Sequence, residues 1–148
     1  MANTHFTGPV YSTNGFVGAI TGNITGNVTG NVTGNVTGNV TGKLTGQVQD
    51  SVQNLSGAGA ANLTTGTTFC TSTGAGNVVT LANGTAGQAG LRKTIVHSTK
   101  GASGTIVVTP ATASGFVTVT LTNVGSAVSL MFTGAAWVVL STNGGTIA

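Results

Sequence analysis

Apolar residues recur at every fourth position along a stretch near the N-terminus of the 148-residue chain. They are Phe16, Ile20, Ile24, Val28, Val32, Val36, Val40, Leu44, Val48 and Val52. A glycine follows two residues after each one from Gly18 to Gly46, and Thr or Asn occupies most positions between. Residues i, i+2 and i+4 of a strand share one face. The apolar residues and glycines therefore alternate on one face, while Thr and Asn line the other.

The period of four excludes several architectures for this repeat. An α-helix needs apolar spacing near 3.6, a coiled coil needs 3.5, and a collagen helix needs glycine at every third residue. A strand with so narrow an apolar face cannot bury that face alone, whereas repeated glycine permits close approach of another backbone. The pattern predicts several copies of the chain intertwined about one axis. A flexible linker or an amyloid-like tract is the alternative.

The chain divides into three zones by pattern. Residues 1–15 form a polar N-terminal arm, residues 16–55 carry the repeat, and residues 56–148 form a compact β domain entered through "LSGAGAAN". In a shaft of three copies, eight residues of the series are predicted to fill the axis. They are Ile20, Ile24, Val28, Val32, Val36, Val40, Leu44 and Val48.

The third zone alternates strand patterns with turn signals, which is typical of an all-β fold. The predicted strands are 67–72, 77–82, 92–98, 104–109, 116–122, 127–133 and 136–142. Seven short strands at this spacing predict an antiparallel β-sandwich, of jelly-roll type, as a knob at the end of the shaft. Alternation predicts its core residues, with Trp as the anchor. They are Val117, Val119, Leu121, Leu130, Phe132 and Trp137.

Charge is almost absent from this chain. Only 3% of residues are Asp, Glu, Lys or Arg, against about 25% in typical proteins. The net charge of +3 comes from four scattered cations, too few for a nucleic-acid surface. So little charge favours a subunit of an assembly over a free monomer. The N-terminus has no signal-peptide pattern and no apolar run is long enough for a membrane span, so we expect synthesis in a cytoplasm.

Few residues of the chain are candidates for a catalytic role. Asp50 is the sole acidic residue, so no carboxylate pair is available for acid–base work. Cys70 and His97 could form a thiolate pair, but both lie in strand patterns, which favours a structural role. His5 or His97 could bind an ion at a threefold axis, without further ligands to support it. We therefore expect no enzymatic activity, no cofactor and no metal.

Two groups of residues are candidates for contacts with a partner. Arg92, Lys93 and Lys100 cluster around one predicted strand, either as a solvated, edge-protecting set or as a contact for an acidic surface of a partner protein. The arm carries apolar anchors suited to docking on another protein, or to folding back onto the shaft. These anchors are Phe6, Val10, Tyr11 and Phe16.

Three stretches of the sequence resemble structural proteins of tailed bacteriophages. "VTGNVTGN" resembles the octad repeat of the triple-stranded β-helix in phage spikes, with Val first and Gly third. The order of motifs from "VVTLANGTAGQAG" through "TIVVTP" to a closing "W-x-V-x-S-x-N-G" resembles β domains of virion decoration, head-fibre and tail-fibre proteins. The opening "MANTHFTGPVYSTNGF" resembles the start of short virion proteins of this kind.

The resemblance implies a homotrimeric virion protein on the capsid surface, which decorates or cements the shell by binding the major capsid protein. It implies no nucleic acid and no membrane as partners. A tail-fibre or spike component that contacts the host surface is the alternative, although the knob has one Trp and no acid for sugar contact. An ice-binding or adhesive surface is a third class, which the Thr spacing in the repeat does not favour.

Overall fold

The computed structural model describes Thr7, Lys43, residues 45–101 and residues 103–148 of the chain. The predicted arm and nearly all of the predicted shaft lie outside these residues. The described part of the compact unit Leu44–Ala148 is all-β, with ten strands and one 3-10 turn at Ala86–Gln88. The strands are β1 Val52–Ser56, β2 Gly59–Ala61, β3 Thr67–Ser72, β4 Asn77–Leu81, β5 Arg92–Lys100, β6 Ile106–Pro110, β7 Val119–Leu121, β8 Ala127–Phe132, β9 Trp137–Asn143 and β10 Gly145–Ile147.

The strands form where apolar and polar side chains alternate. In β8, Val128, Leu130 and Phe132 are buried while the residues between them are partly exposed. In β6, Ile106 and Val108 are buried in the same way. β-branched residues fit such a half-buried pleated surface well, which explains their abundance in these segments.

Strands β1, β3 and β5 join a five-stranded sheet in the order β1-β3-β5-β8-β9. Strands β2, β4 and β6 join a second sheet in the order β10-β7-β6-β4-β2. The chain therefore passes alternately between the two sheets, and successive passes pair in parallel. The predicted antiparallel sandwich is wrong in this respect, because both sheets are mixed.

The last four strands add antiparallel pairs to these parallel strands. β7 pairs with β6, and β10 pairs with β7. β8 pairs with β5, and β9 pairs with β8 with a shift of register between Ser129 and Leu130. The C-terminal strands thus extend both sheets on the side opposite β1 and β2.

Side chains from both sheets form one core cluster. Five of the six predicted core residues are buried in it: Val119, Leu121, Leu130, Phe132 and Trp137. The prediction was wrong for Val117, which is 70% exposed. Val117 lies two residues before β7 and so falls outside the regular alternation of that strand. Its N–H donates to the carbonyl oxygen of Ala148 at 2.6 Å.

The compact unit begins earlier in the sequence than the predicted boundary at residue 56. β1 belongs to the predicted shaft, yet Leu55 on this strand packs against the core. "VQNL" therefore belongs to the sheet, which explains why the strict four-residue pattern decays there. None of the described residues form a helix long and apolar enough to cross a membrane.

Candidate functional site: a buried polar cluster and an exposed apolar patch

Lys93 lies in the interior of the compact unit and not at a solvated edge. β5 is the central strand of its sheet, and Lys93 is 1% exposed, so its predicted edge-protecting role is wrong. Its Nζ donates to the carbonyl oxygen of Thr65 at 2.8 Å and to Thr65 Oγ1 at 2.9 Å. Burial lowers the pKa of Lys93, because desolvation disfavours the ammonium form. Arg92 and Lys100, at the ends of the strand, are exposed.

Cys70 lies inside the same sheet with no solvent exposure. Burial raises the pKa of its thiol from 9.0 to about 11, and the charge of Lys93 opposes this shift only partly. The thiolate is the reactive form of cysteine, so this thiol is inert near neutral pH. The structure supports the packing role expected for Cys70.

Lys93 and Cys70 are expected to give opposite trends in stability at alkaline pH. Lys93 keeps its proton to a higher pH in the unfolded chain than in the folded protein. This residue therefore makes the free energy of unfolding rise with pH until the ordinary lysine pKa of 10.5 is reached. Cys70 keeps its proton to a higher pH in the folded protein than in the unfolded chain. It therefore makes the free energy of unfolding fall between pH 9.0 and about 11. Urea unfolding of Lys93→Met should show only the fall, and that of Cys70→Ala only the rise.

Lys100→Met is the matched control for this experiment, because it also removes one lysine but at an exposed position. If the free energy of unfolding of Lys93→Met rose with pH below 10.5 as steeply as that of the wild type, the lowered pKa of Lys93 would be contradicted.

His97 is completely buried beside the other end of β3. Its Nε2 lies 2.8 Å from Ser72 Oγ, and its Nδ1 is buried without a hydrogen-bond partner in the described residues. His97 pairs with Cys70 in the strand register, but no hydrogen bond joins their side chains in the described part of the chain. The arrangement is therefore not a nucleophile–base pair of the Cys–His type. A histidine so deeply enclosed is not available to an ion on an outer surface.

A second polar group near the first strands was not predicted from the sequence. Gln53 Oε1 accepts hydrogen bonds from the N–H of Asn62 at 2.9 Å and from Thr68 Oγ1 at 3.1 Å. Asn62 Oδ1 in turn accepts from Thr65 Oγ1 at 2.8 Å, and Thr65 binds Lys93. The network ties the 62–66 loop to β1 and β5. Alternating polar residues in "VQNLS" were its only sequence signal.

The exposed surface is apolar near β1. Val48, the one predicted axis residue within the described part, is 69% exposed, and Val52 and Phe69 are 49% and 36% exposed.

Elsewhere an open groove of about 320 Å³ is lined mainly by apolar atoms of residues flanking the ends of β4 and β6. Its walls offer no charged side chain. Within residues 45–101 and 103–148, no three His, Cys, Asp or Glu side chains are grouped as metal ligands would be.

The remaining predicted site residues lie outside the described residues. They are His5, the arm residues Phe6, Val10, Tyr11 and Phe16, and the axis residues Ile20, Ile24, Val28, Val32, Val36, Val40 and Leu44. Each buried polar side chain among the described residues makes at least one hydrogen bond, although Nδ1 of His97 has no partner there. Comparison of the chain with protein-family models and with curated proteins gives no match.

Proposed function

We propose that this protein is a non-enzymatic, homotrimeric decoration protein of a bacteriophage capsid. The observation that carries the proposal is the strict apolar series at every fourth residue, whose apolar face is too narrow for one strand to bury by itself. Two members of the series fall within the described residues, and both Val48 and Val52 are largely exposed in the single chain. Exposed apolar residues in regular series mark a surface that another chain covers.

The low charge of the chain supports a structural role over a catalytic one. Among the described residues, Cys70, Lys93 and His97 have the side chains best suited to chemistry, and all three are buried. Catalysis requires such groups to reach a substrate. A protein that acts through contact area needs no such groups, since it stabilises a shell by binding its assembled state.

In this proposal, the three copies intertwine through the repeat and attach to the capsid through the N-terminal arm. Phe6, Val10, Tyr11 and Phe16 are the proposed anchors on the major capsid protein. Three linked arms bind more tightly than one, because each bound arm raises the effective concentration of the others. A trimer also matches the threefold positions of an icosahedral shell.

Capsids that carry the protein are expected to resist heat and osmotic shock better than capsids that lack it. Val32→Asp places three unpaired carboxylates at the proposed axis and should abolish both the trimer and this protection, because a buried unpaired charge is very costly. Thr33→Asp is the matched control, since Thr33 belongs to the face predicted to meet water. Light scattering gives the mass of each variant, and capsid melting gives the protection.

Two results would contradict the proposal. One is a wild-type protein that is a monomer by light scattering, and the other is a trimer that leaves capsid melting unchanged. The tail-fibre alternative gains no support from Trp137, which is completely buried and offers no stacking surface to a sugar. A glycan-binding screen tests that alternative directly.

A further inference from the structure

Strand β1 has a free side within the described residues. It is the terminal strand of its sheet, and β3 is its only neighbour there. The carbonyl oxygen of Ser51 accepts a hydrogen bond from the N–H of Thr67, and the N–H of Gly57 donates to the carbonyl oxygen of Thr71. The backbone groups of the odd-numbered residues from 51 to 57 are therefore the ones directed towards β3. The alternation of a parallel ladder then directs the N–H and C=O groups of Val52, Asn54 and Ser56 away from the sheet.

β1 differs from the other three terminal strands of the two sheets. β2 and β10 are only three residues long, and the pairing of β9 is interrupted by a register shift. Short length and irregular pairing are both ways in which proteins prevent edge strands from adding another strand. β1 has five regularly paired residues, with no Lys, no Pro and no register shift. It is therefore competent to pair with another backbone.

An apolar patch adjoins this free edge. Val52 and Phe69 lie on the same outer face of β1 and β3, Val48 precedes β1 in the chain, and all three are exposed. Phe69 pairs in register with Asn54 on one side and with the half-buried Val96 on the other. The chain contains no charged residue between Asp50 and Arg92, so β1 itself is uncharged. The nearest charge in the sequence is Asp50, two residues before the strand, whose carboxylate lies beside Gly66.

We propose that a second copy of this chain covers the β1 edge and the apolar patch. This proposal rests on the trimer proposed above and names the surface through which its compact units meet. The four-residue apolar series runs without a break through Val48 to Val52, so the series proposed to join the copies ends on the patch itself. Val52, Phe69 and the residues of β1 carry no charge, and only 3% of the chain is charged, so another surface of a second copy can meet them with little repulsion between like charges.

The intertwined repeat would also hold the copies together at high effective concentration. Tethering of this kind reaches the millimolar range, at which a modest contact is almost fully occupied. The contact therefore needs only a small apolar patch and a few backbone hydrogen bonds. Its energetic contribution would come from exclusion of water from Val52 and Phe69 and from pairing of the outward groups of β1.

Hydrogen exchange in the full-length trimer tests this proposal. The outward amides of Val52, Asn54 and Ser56 are expected to exchange at least about tenfold more slowly than free edge amides. Val52→Lys introduces a charge into the patch and should accelerate their exchange by the same factor. Val124→Lys is the matched control, because Val124 is 56% exposed against 49% for Val52 and lies outside the patch. It should leave the exchange of β1 unchanged.

The outcomes separate this inference from the proposed function. A trimeric mass with slow exchange in the wild type and fast exchange only in Val52→Lys supports the inference. A trimeric mass with fast exchange in the wild type overturns it while leaving the proposed trimer intact. Slow exchange only after the trimer binds capsids also overturns it, since the capsid protein would then be the partner. A monomeric wild type overturns both.

Discussion

Replacing Trp137 by Ala is expected to lower the free energy of unfolding by about 3–5 kcal/mol, the usual cost of removing a large buried aromatic side chain. Trp137 is completely buried in the core cluster. Its ring lies against Phe132, with centroids 5.4 Å apart and planes tilted by 49°. Its Nε1 donates to the carbonyl oxygen of Ala82 at 3.0 Å. The substitution would therefore leave a cavity, remove an aromatic contact and leave a carbonyl without its partner.

Urea unfolding followed by circular dichroism measures this effect. Trp137→Phe is the informative companion variant, because it retains an aromatic ring and loses only the hydrogen bond and part of the volume. We expect its loss to be about 1–3 kcal/mol, from removal of one hydrogen bond and of part of the buried ring volume. A loss below about 1 kcal/mol for Trp137→Ala would contradict the central position of this side chain in the core.

The second large effect is expected for Gly104→Ala. A Cβ at this position would overlap Ser72 Oγ and come within 2.5 Å of Ser72 Cβ. Ser72 is 1% exposed, and its hydroxyl lies 2.8 Å from His97 Nε2, so it has little room to move. Displacement of the hydroxyl would leave both nitrogens of His97 without partners. We expect a loss of about 2–4 kcal/mol from overpacking together with the unpaired imidazole.

Gly74→Ala is the control for this substitution. No atom lies within 4 Å of a Cβ built at Gly74, and its φ is not positive, so Ala fits there without strain. Thermal or urea unfolding of the two variants should differ by the full effect assigned to Ser72 and His97. Equal free energies of unfolding for the two variants would contradict this prediction, because the loop around Gly104 would then accommodate the added Cβ without a loss of stability.

The strands of the compact unit were predictable where alternation was long. The structure contains strands in all seven predicted segments, and β3 has the predicted bounds of 67–72. β2 and β10 were missed, because three residues are too few for a period of two to be recognised. β1 was assigned to the shaft and not to the compact unit, because Val52 continues the four-residue spacing of the repeat.

Strand order was not predictable from local pattern, and the error over Lys93 follows from this. In "RKTIVHS" both faces of the strand carry a mixture of polar and apolar residues, so alternation alone does not choose the inward face. Parallel passes place β5 between β3 and β8, and Lys93 then faces inward with Ile95 and His97. Pairing between distant segments decides this, and no short window of sequence contains it. The contacts of Thr65 and Gln53 were hidden for the same reason.

The order in which the strands join the sheets constrains how the protein is made. β5 and β6 sit beside strands that come later in the sequence, and Trp137 and Phe132 belong to those later strands. A nascent chain that ends before β8 thus lacks the largest aromatic side chains of its core. Completion of the core must therefore follow synthesis of β8 and β9. The N-terminal repeat is synthesised earlier, so it is already present while the compact unit is incomplete.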